Sequence, residues 1–190
     1  MRRGRRVAAA TLLIAVAIGA VLASRAPMPA DSVRVPPTSP RVVIRKAARE
    51  LALYDGDTLL RKFPVALASN APGDKEREGD RRTPEGTFFV CTRNGNSRFH
   101  RFLGLSYPAP DDAARGLAAA LITSAESEAI LDAHRKKTCP PWKTALGGEV
   151  GIHGGGVGRD WTLGCIALTN EAIDELWALL RLGDPVVVEP

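Results

Sequence analysis

Past its first 26 residues this chain has no net charge. The 190 residues hold 26 Lys and Arg against 21 Asp and Glu, a formal net charge of +5. Residues 1–26 carry five arginines (Arg2, Arg3, Arg5, Arg6, Arg25) and no acid, so 21 basic side chains face 21 acidic ones from Pro27 onward. A domain that grips nucleic acid needs a basic surface to neutralise phosphates. The bulk charge supplies none, and nucleic acid is set aside as a partner. Metal-ligand spacings are missing too: there is no Cys-x-x-Cys and no His-Glu-x-x-His, which removes the common zinc sites. Nothing calls for a cofactor. No segment repeats. Cysteine is scarce, with three in the chain, and the length is enough for a hydrophobic core without a disulfide scaffold. A composition of 45% hydrophobic and 25% charged residues is that of a globular domain, and we expect a monomer.

What is present begins with an export signal. Met1–Arg6 is a positive flank, and Val7–Ala23 is an unbroken run of apolar or small residues. That order, followed by small residues at Ser24 and Ala26, is the order of a signal peptide over residues 1–26. The rival is an uncleaved membrane anchor through residues 7–23, near the short limit for a span, with the positive flank on the cytoplasmic side. Both readings export the domain to the periplasm or cell envelope, with the inner membrane as the site of any anchor. Residues 27–40 hold five prolines and read as an extended linker. The folded domain is expected over 41–190.

Within it the first half has β signals. Val42–Ile44 and Leu51–Tyr54 are short apolar runs, and Asp55-Gly56-Asp57 before Thr58–Leu60 is a hairpin signature. Phe63–Leu67 predicts a further strand, weakened by Pro64. Ser69–Arg82 is a polar loop, and Thr87–Cys91 a β-branched and aromatic strand. Asp111 opens a short helix to Ala120. Thr123-Ser124-Ala125-Glu126 is a capping box for a helix to about Lys137. Glu171–Arg181 has one apolar helical face, with Thr169 or Asn170 as cap and Gly183 as terminator. Val186–Val188 ends the pattern. The expected class is mainly β or α+β. His100 and His134 are expected at the surface.

In an oxidising compartment an odd cysteine count leaves one thiol over. A Cys91–Cys139 bridge would leave Cys165; alternatively Cys91 is a small buried residue of its strand. The sequence leaves the pairing open.

Residues 150–170 carry the chemistry: VGIHGGGVGRDWTLGCIALTN. His153 follows an apolar run and precedes three glycines. Cys165 lies between Gly164 and the apolar Ile166-Ala167-Leu168. An imidazole beside a thiol is the common way to activate it as a nucleophile. Glycines beside both let a substrate backbone approach, and N–H groups at Gly164-Cys165 would serve a tetrahedral oxyanion. By residue type alone, a structural histidine and a core cysteine would explain the same pair.

The segments Ile152-His153-Gly154 and Asp160–Asn170 resemble the active-site signature of YkuD-type L,D-transpeptidases, a His-Gly followed by Ser/Thr-x-Gly-Cys. Arg49–Tyr54 resembles that family's first hairpin and Gly79–Gly86 its Thr-Pro-x-Gly turn. Arg93-Asn94 with Ser97, and Ser106-Tyr107-Pro108, are similar to the YafK-like subgroup. The resemblance covers about residues 41–190. It implies a YkuD-like β-sandwich-type catalytic domain with a few helices, and cysteine acyl transfer on peptidoglycan stem peptides. Cys165 would be the nucleophile, His153 the general base and acid, Gly154 the carbonyl that orients the imidazole, and Gly164 an oxyanion N–H. Arg93 and Asn94 would hold a stem carboxylate, with Trp161 and Thr162 beside the cleft. Many members carry Arg two residues after the cysteine, where this chain has Ala167. The loop between His153 and Cys165 is short and Gly-rich. Residues 111–149 match least.

Overall fold

The structure, a computed structural model, describes residues 36–70 and 72–190. The export segment of residues 1–26 and most of the linker lie outside the described residues. Among the described residues no helix is long and apolar enough to cross a membrane.

Strand β1 (Pro40–Arg45) pairs antiparallel with β2 (Glu50–Asp55), and β2 with β3 (Thr58–Pro64). The Asp55-Gly56-Asp57 turn joins β2 to β3 as its residue types predict, with Gly56 at φ +55° where glycine alone is unstrained. The last strand β8 (Pro185–Glu189) inserts parallel to β1 and antiparallel to β4 (Gly86–Ser97). From β4 the sheet continues through β5 (His100–Leu105), β6 (Gly151–His153) and β7 (Ile166–Ala167). All eight strands form one sheet in the order β3-β2-β1-β8-β4-β5-β6-β7. Its two ends are tied by a bridge between Ala66 and Ala167, through Ala66 N–H to Ala167 O at 2.9 Å and the reverse at 2.8 Å. The sheet is therefore curled until its first hairpin meets β7.

The fold class is the expected one, mostly strands with, among the described residues, three helices: α1 (Pro110–Ala118), α2 (Ser124–Arg135) and α3 (Asn170–Leu179). Thr123 completes its capping box with Glu126. Thr169, not Asn170, caps α3, accepting from Ala172 N–H. Two expectations change. The strand foreseen at Phe63–Leu67 is split: its first two residues end β3 and the rest make the bridge to Ala167, where Val65 N–H turns to Arg49 O. Gly183 does not terminate α3, because Leu180 is already extended (φ −90°, ψ 148°); Gly183 serves the turn into β8. The stretch from Arg93 to Ser97 continues β4.

The main core lies inside the curl, with Ile44, Leu51, Leu53, Leu67, Phe88, Leu103, Leu105 and Ile152 fully or nearly fully enclosed, and α3 packs Ile173 and Leu176 onto it. Helices α1 and α2 build a small second core of Ala113, Ile122, Ile130 and Leu146. Cys91 and Cys139 form a disulfide with Cα atoms 5.0 Å apart. It pins the segment after α2 to β4.

Two buried lysines hold the loop between β3 and β4. Lys46 Nζ donates to Gly73 O (2.6 Å), Thr83 O (2.9 Å) and Glu85 Oε1 (2.8 Å). Lys75 Nζ donates to Arg77 O (2.7 Å) and Asp80 Oδ1 (2.8 Å). Each buried ammonium is tolerated because it is paired with a carboxylate, Glu85 for Lys46 and Asp80 for Lys75, and bonded to backbone carbonyls besides.

Candidate active site

His153 ends β6, where it pairs with Phe102 of β5 on one side and Ala167 of β7 on the other. It is 2% exposed. Its imidazole stacks on Phe99 (centroids 4.6 Å, planes 21° apart) and meets the edge of Trp161 at 5.5 Å. Nδ1 lies 2.6 Å from Gly154 O. A carbonyl only accepts, so Nδ1 carries the proton and Nε2 keeps its lone pair in the neutral ring. Burial lowers the pKa of His153; the Gly154 carbonyl opposes this and Arg98 adds to it. The ring is thus held neutral, with its basic nitrogen chosen.

Gly154 has no room for a side chain. A Cβ there would sit 2.5 Å from Asn170 Oδ1 and 2.9 Å from Phe99 O. Its own N–H donates to Phe99 O at 3.0 Å. The glycines that follow are tied down in turn. Gly155 N–H donates to Asn170 Oδ1 (3.1 Å), Gly156 N–H to Leu168 O (2.8 Å), and Trp161 Nε1–H to Gly156 O (3.1 Å). Asn170, freed from capping, thereby links α3 to the His-Gly turn. Asp160 closes the loop from the far side. It accepts from Leu67 N–H (2.9 Å) and pairs with Arg49 through Oδ2 (2.7 Å). Burial works against its ionised form, but the Arg49 and Leu67 hydrogen bonds and the Arg49 charge prevail and hold its pKa below the ordinary value.

Cys165 precedes β7, two residues before the partner of His153. Its Sγ lies 3.4 Å from Glu149 O, to which the thiol donates. Burial pushes the thiol up to about 11; the Gly151 amide and Lys75 pull it down, and Glu149 pushes it further up. Thr162 braces the turn. Its hydroxyl donates to Cys165 O at 2.7 Å and accepts from Gly164 N–H at 3.3 Å. The Gly164 N–H, expected as an oxyanion donor, is therefore engaged. The Cys165 N–H has no protein acceptor among the described residues and is the open donor beside the sulfur.

Two cavities, of about 300 Å³ and about 630 Å³, meet at this pair. Cys165, His153, Phe99, Arg98 and Glu149 line both. The smaller adds Trp161, Thr162, Lys75 and Leu163, which is 73% exposed at the rim. The larger adds Thr92, Asn94, Asn96 and Trp142. Trp161 and Thr162 line the smaller cavity and Asn94 the larger. Arg93 lines neither. Alternation along β4 turns it to the opposite face, where its guanidinium covers the Trp177 ring at 4.1 Å and donates to Trp177 O at 2.6 Å. Burial first, then Arg181 and Arg101, lower its pKa. The cations of the cleft are Arg98 and Lys75, and its shared carboxylate is Glu149. Arg98 sits one residue past Ser97, close enough to have been found. Glu149 lies in the stretch that carries no motif.

Residues 39–188 match the YkuD family, the L,D-transpeptidase catalytic domain. The chain belongs to that family. This YkuD domain is 27% identical over 157 residues to YafK of Escherichia coli (strain K12), whose name assigns it L,D-transpeptidase activity provisionally; the match takes 77% of this chain and 50% of YafK. The chain thus spans about half the length of the curated relatives it matches. Among solved structures, the helical cell shape determining protein Pgp2 from Campylobacter jejuni superposes with a TM-score of 0.54 at 20% identity, over 80% of this chain and 47% of that one. Its K307A mutant gives 0.55 over the same shares. These likenesses identify the YkuD fold.

Proposed function

We propose that this YkuD domain is a peptidoglycan L,D-transpeptidase that works by cysteine acyl transfer. The observation that carries this is a neutral, buried His153 whose Nδ1–H is locked on Gly154 O, beside a thiol at the meeting point of two cavities. A backbone carbonyl here does the orienting work that a carboxylate does in a Ser-His-Asp triad.

The thiol, not a stored thiolate, is the resting form, since burial raises its pKa. Cys165 attacks the carbonyl of the third, L-centred residue of a tetrapeptide stem as His153 Nε2 removes the thiol proton. The Cys165 N–H supports the oxyanion, with Gly164 N–H a second donor if it leaves the Thr162 hydroxyl. His153 returns its proton to the departing amine, and D-Ala is released. The thioester is then resolved by an amine on a second stem. Two cavities sharing one nucleophile suit two successive substrates. Substrate contacts fall to Asn94, Trp161 and Thr162 and to the cation Arg98; Arg93 supports the strand from behind. The proposed site of action is the periplasm or envelope, reached through residues 1–26.

The test is the intact mass of the full chain after incubation with a carbapenem. We expect a covalent adduct on the wild type and none on Cys165→Ala. No wild-type adduct, or an equal one on the variant, overturns the assignment. Muropeptide products then separate acceptors: crosslinked dimers mean transfer, shortened monomers mean hydrolysis.

A further inference from the structure

Glu149 stands in an unusual backbone state beside the nucleophile. Its φ is +53°, a left-handed conformation that costs an L-residue about 1–2 kcal/mol. Gly147 and Gly148 come just before it, so the chain has glycine available in this very turn. The carbonyl of Glu149 receives the Cys165 thiol, a task any residue could perform. Its side chain is exposed and has no hydrogen bond or ion pair among the described residues. Among the described residues it is the one carboxylate lining both cavities; Glu78 reaches the smaller alone. The cation Arg98 also lines both cavities, while the polar residues that belong to the larger alone, among them Thr92, Asn94, Asn96 and Ser97, are neutral.

A carboxylate here hinders the first half of the reaction, because its charge disfavours a developing thiolate. The benefit belongs to the second half. We propose that the Glu149 carboxylate binds the incoming acceptor as a primary ammonium and so favours transfer over hydrolysis. This rests on the acyl-transfer reading above. Held by Glu149 at the junction, the ammonium releases one proton to solvent. The amine nitrogen attacks the thioester carbonyl, the C–N bond forms, and the C–S bond breaks. The second proton passes through His153 to the departing sulfur, leaving an amide and a free thiol. Water gains nothing from Glu149, so the residue discriminates by charge.

The experiment uses the full chain, a disaccharide-tetrapeptide donor and glycinamide as acceptor, with carbapenem adduct formation followed separately. Glu149→Gln is expected to acylate faster than wild type. Its ratio of transfer to hydrolysis should fall roughly tenfold or more, the scale of one charge-assisted hydrogen bond, with a higher KM for glycinamide. Glu149→Asp, which keeps the charge and suits positive φ, should recover most of that ratio. A wild type that forms no adduct overturns the acyl-transfer reading and this inference with it. Given a wild-type adduct, three results overturn Glu149 alone: no glycinamide product from wild type, an unchanged ratio in Glu149→Gln, or a Glu149→Gln chain that no longer acylates.

Discussion

His153 Nδ1 donates to the carbonyl of the very next residue, Gly154, across 2.6 Å. A side chain bonded to its neighbour's backbone has little freedom, and here Phe99 and Trp161 close the remaining directions. Nε2 is left as the basic nitrogen, and several measurable consequences arise from that geometry.

The first concerns pH. Burial lowers the His153 pKa, so the proposed base stays neutral below its ordinary value of about 6.5. Burial raises the Cys165 thiol to about 11. Alkylation of the free enzyme by iodoacetamide should therefore keep rising through pH 9 with no plateau at neutrality. A plateau near pH 7 would reveal a resting thiolate and refute thiol-first chemistry.

Gly154→Ala should all but abolish acylation. The new methyl would meet Asn170 Oδ1 at 2.5 Å and Phe99 O at 2.9 Å. Backbone oxygen cannot swing away, so the turn must move and the carbonyl under His153 with it. We expect about 1–3 kcal/mol of lost stability, read by thermal melting, and a loss of carbapenem adduct far larger than the melting shift explains.

Asp160→Asn tests the strut from the first hairpin to the active-site loop. The Arg49 side chain is 42% exposed and that of Asp160 26%, so solvent screens part of the pair. We expect a loss of about 1 kcal/mol at neutral pH. The folded pKa of Asp160 is depressed. Its contribution is therefore complete above the unfolded value of about 3.9 and disappears as pH falls through the folded one. Denaturant midpoints of wild type and variant should converge as acid protonates the folded carboxylate; a constant gap at all pH values would contradict an ionic origin.

Replacing Cys91 and Cys139 together by serine should lower stability by about 2–4 kcal/mol, since the bridge closes 48 residues of chain and restricts the unfolded state. The larger cavity should loosen as well, because Trp142 lies three residues past Cys139. Chemical denaturation of the double variant measures the first effect, and its acylation rate the second. An unchanged midpoint would leave the bridge without a stabilising role.

Local signals were legible where they act locally. Asp55-Gly56 marked its hairpin, Thr123 with Glu126 its capping box, and the His153–Cys165 segment its two cavity-lining side chains. What escaped depends on geometry between distant residues. Arg49 and Asp160 are 111 residues apart, and no spacing rule joins them. The closure of the sheet at Ala66 and Ala167 has the same character. Arg93 is expected in the cleft from the likeness of Arg93-Asn94 with Ser97 to the YafK-like subgroup. Alternation sends Arg93 and Asn94 to opposite faces, and the register shifts of β4 between Val90 and Thr92 and between Asn94 and Ser97 cannot be counted without its partner strand. Gly183 misled because the helix stops at Leu179, two residues early.

The Cys91–Cys139 bridge also bears on how an active molecule is made. Three thiols can close three different single bridges. Two of these consume Cys165, the proposed nucleophile. On that proposal, oxidation of the newly made polypeptide is a sorting step with one productive isomer, and the share of competent chains depends on how faithfully that isomer is chosen.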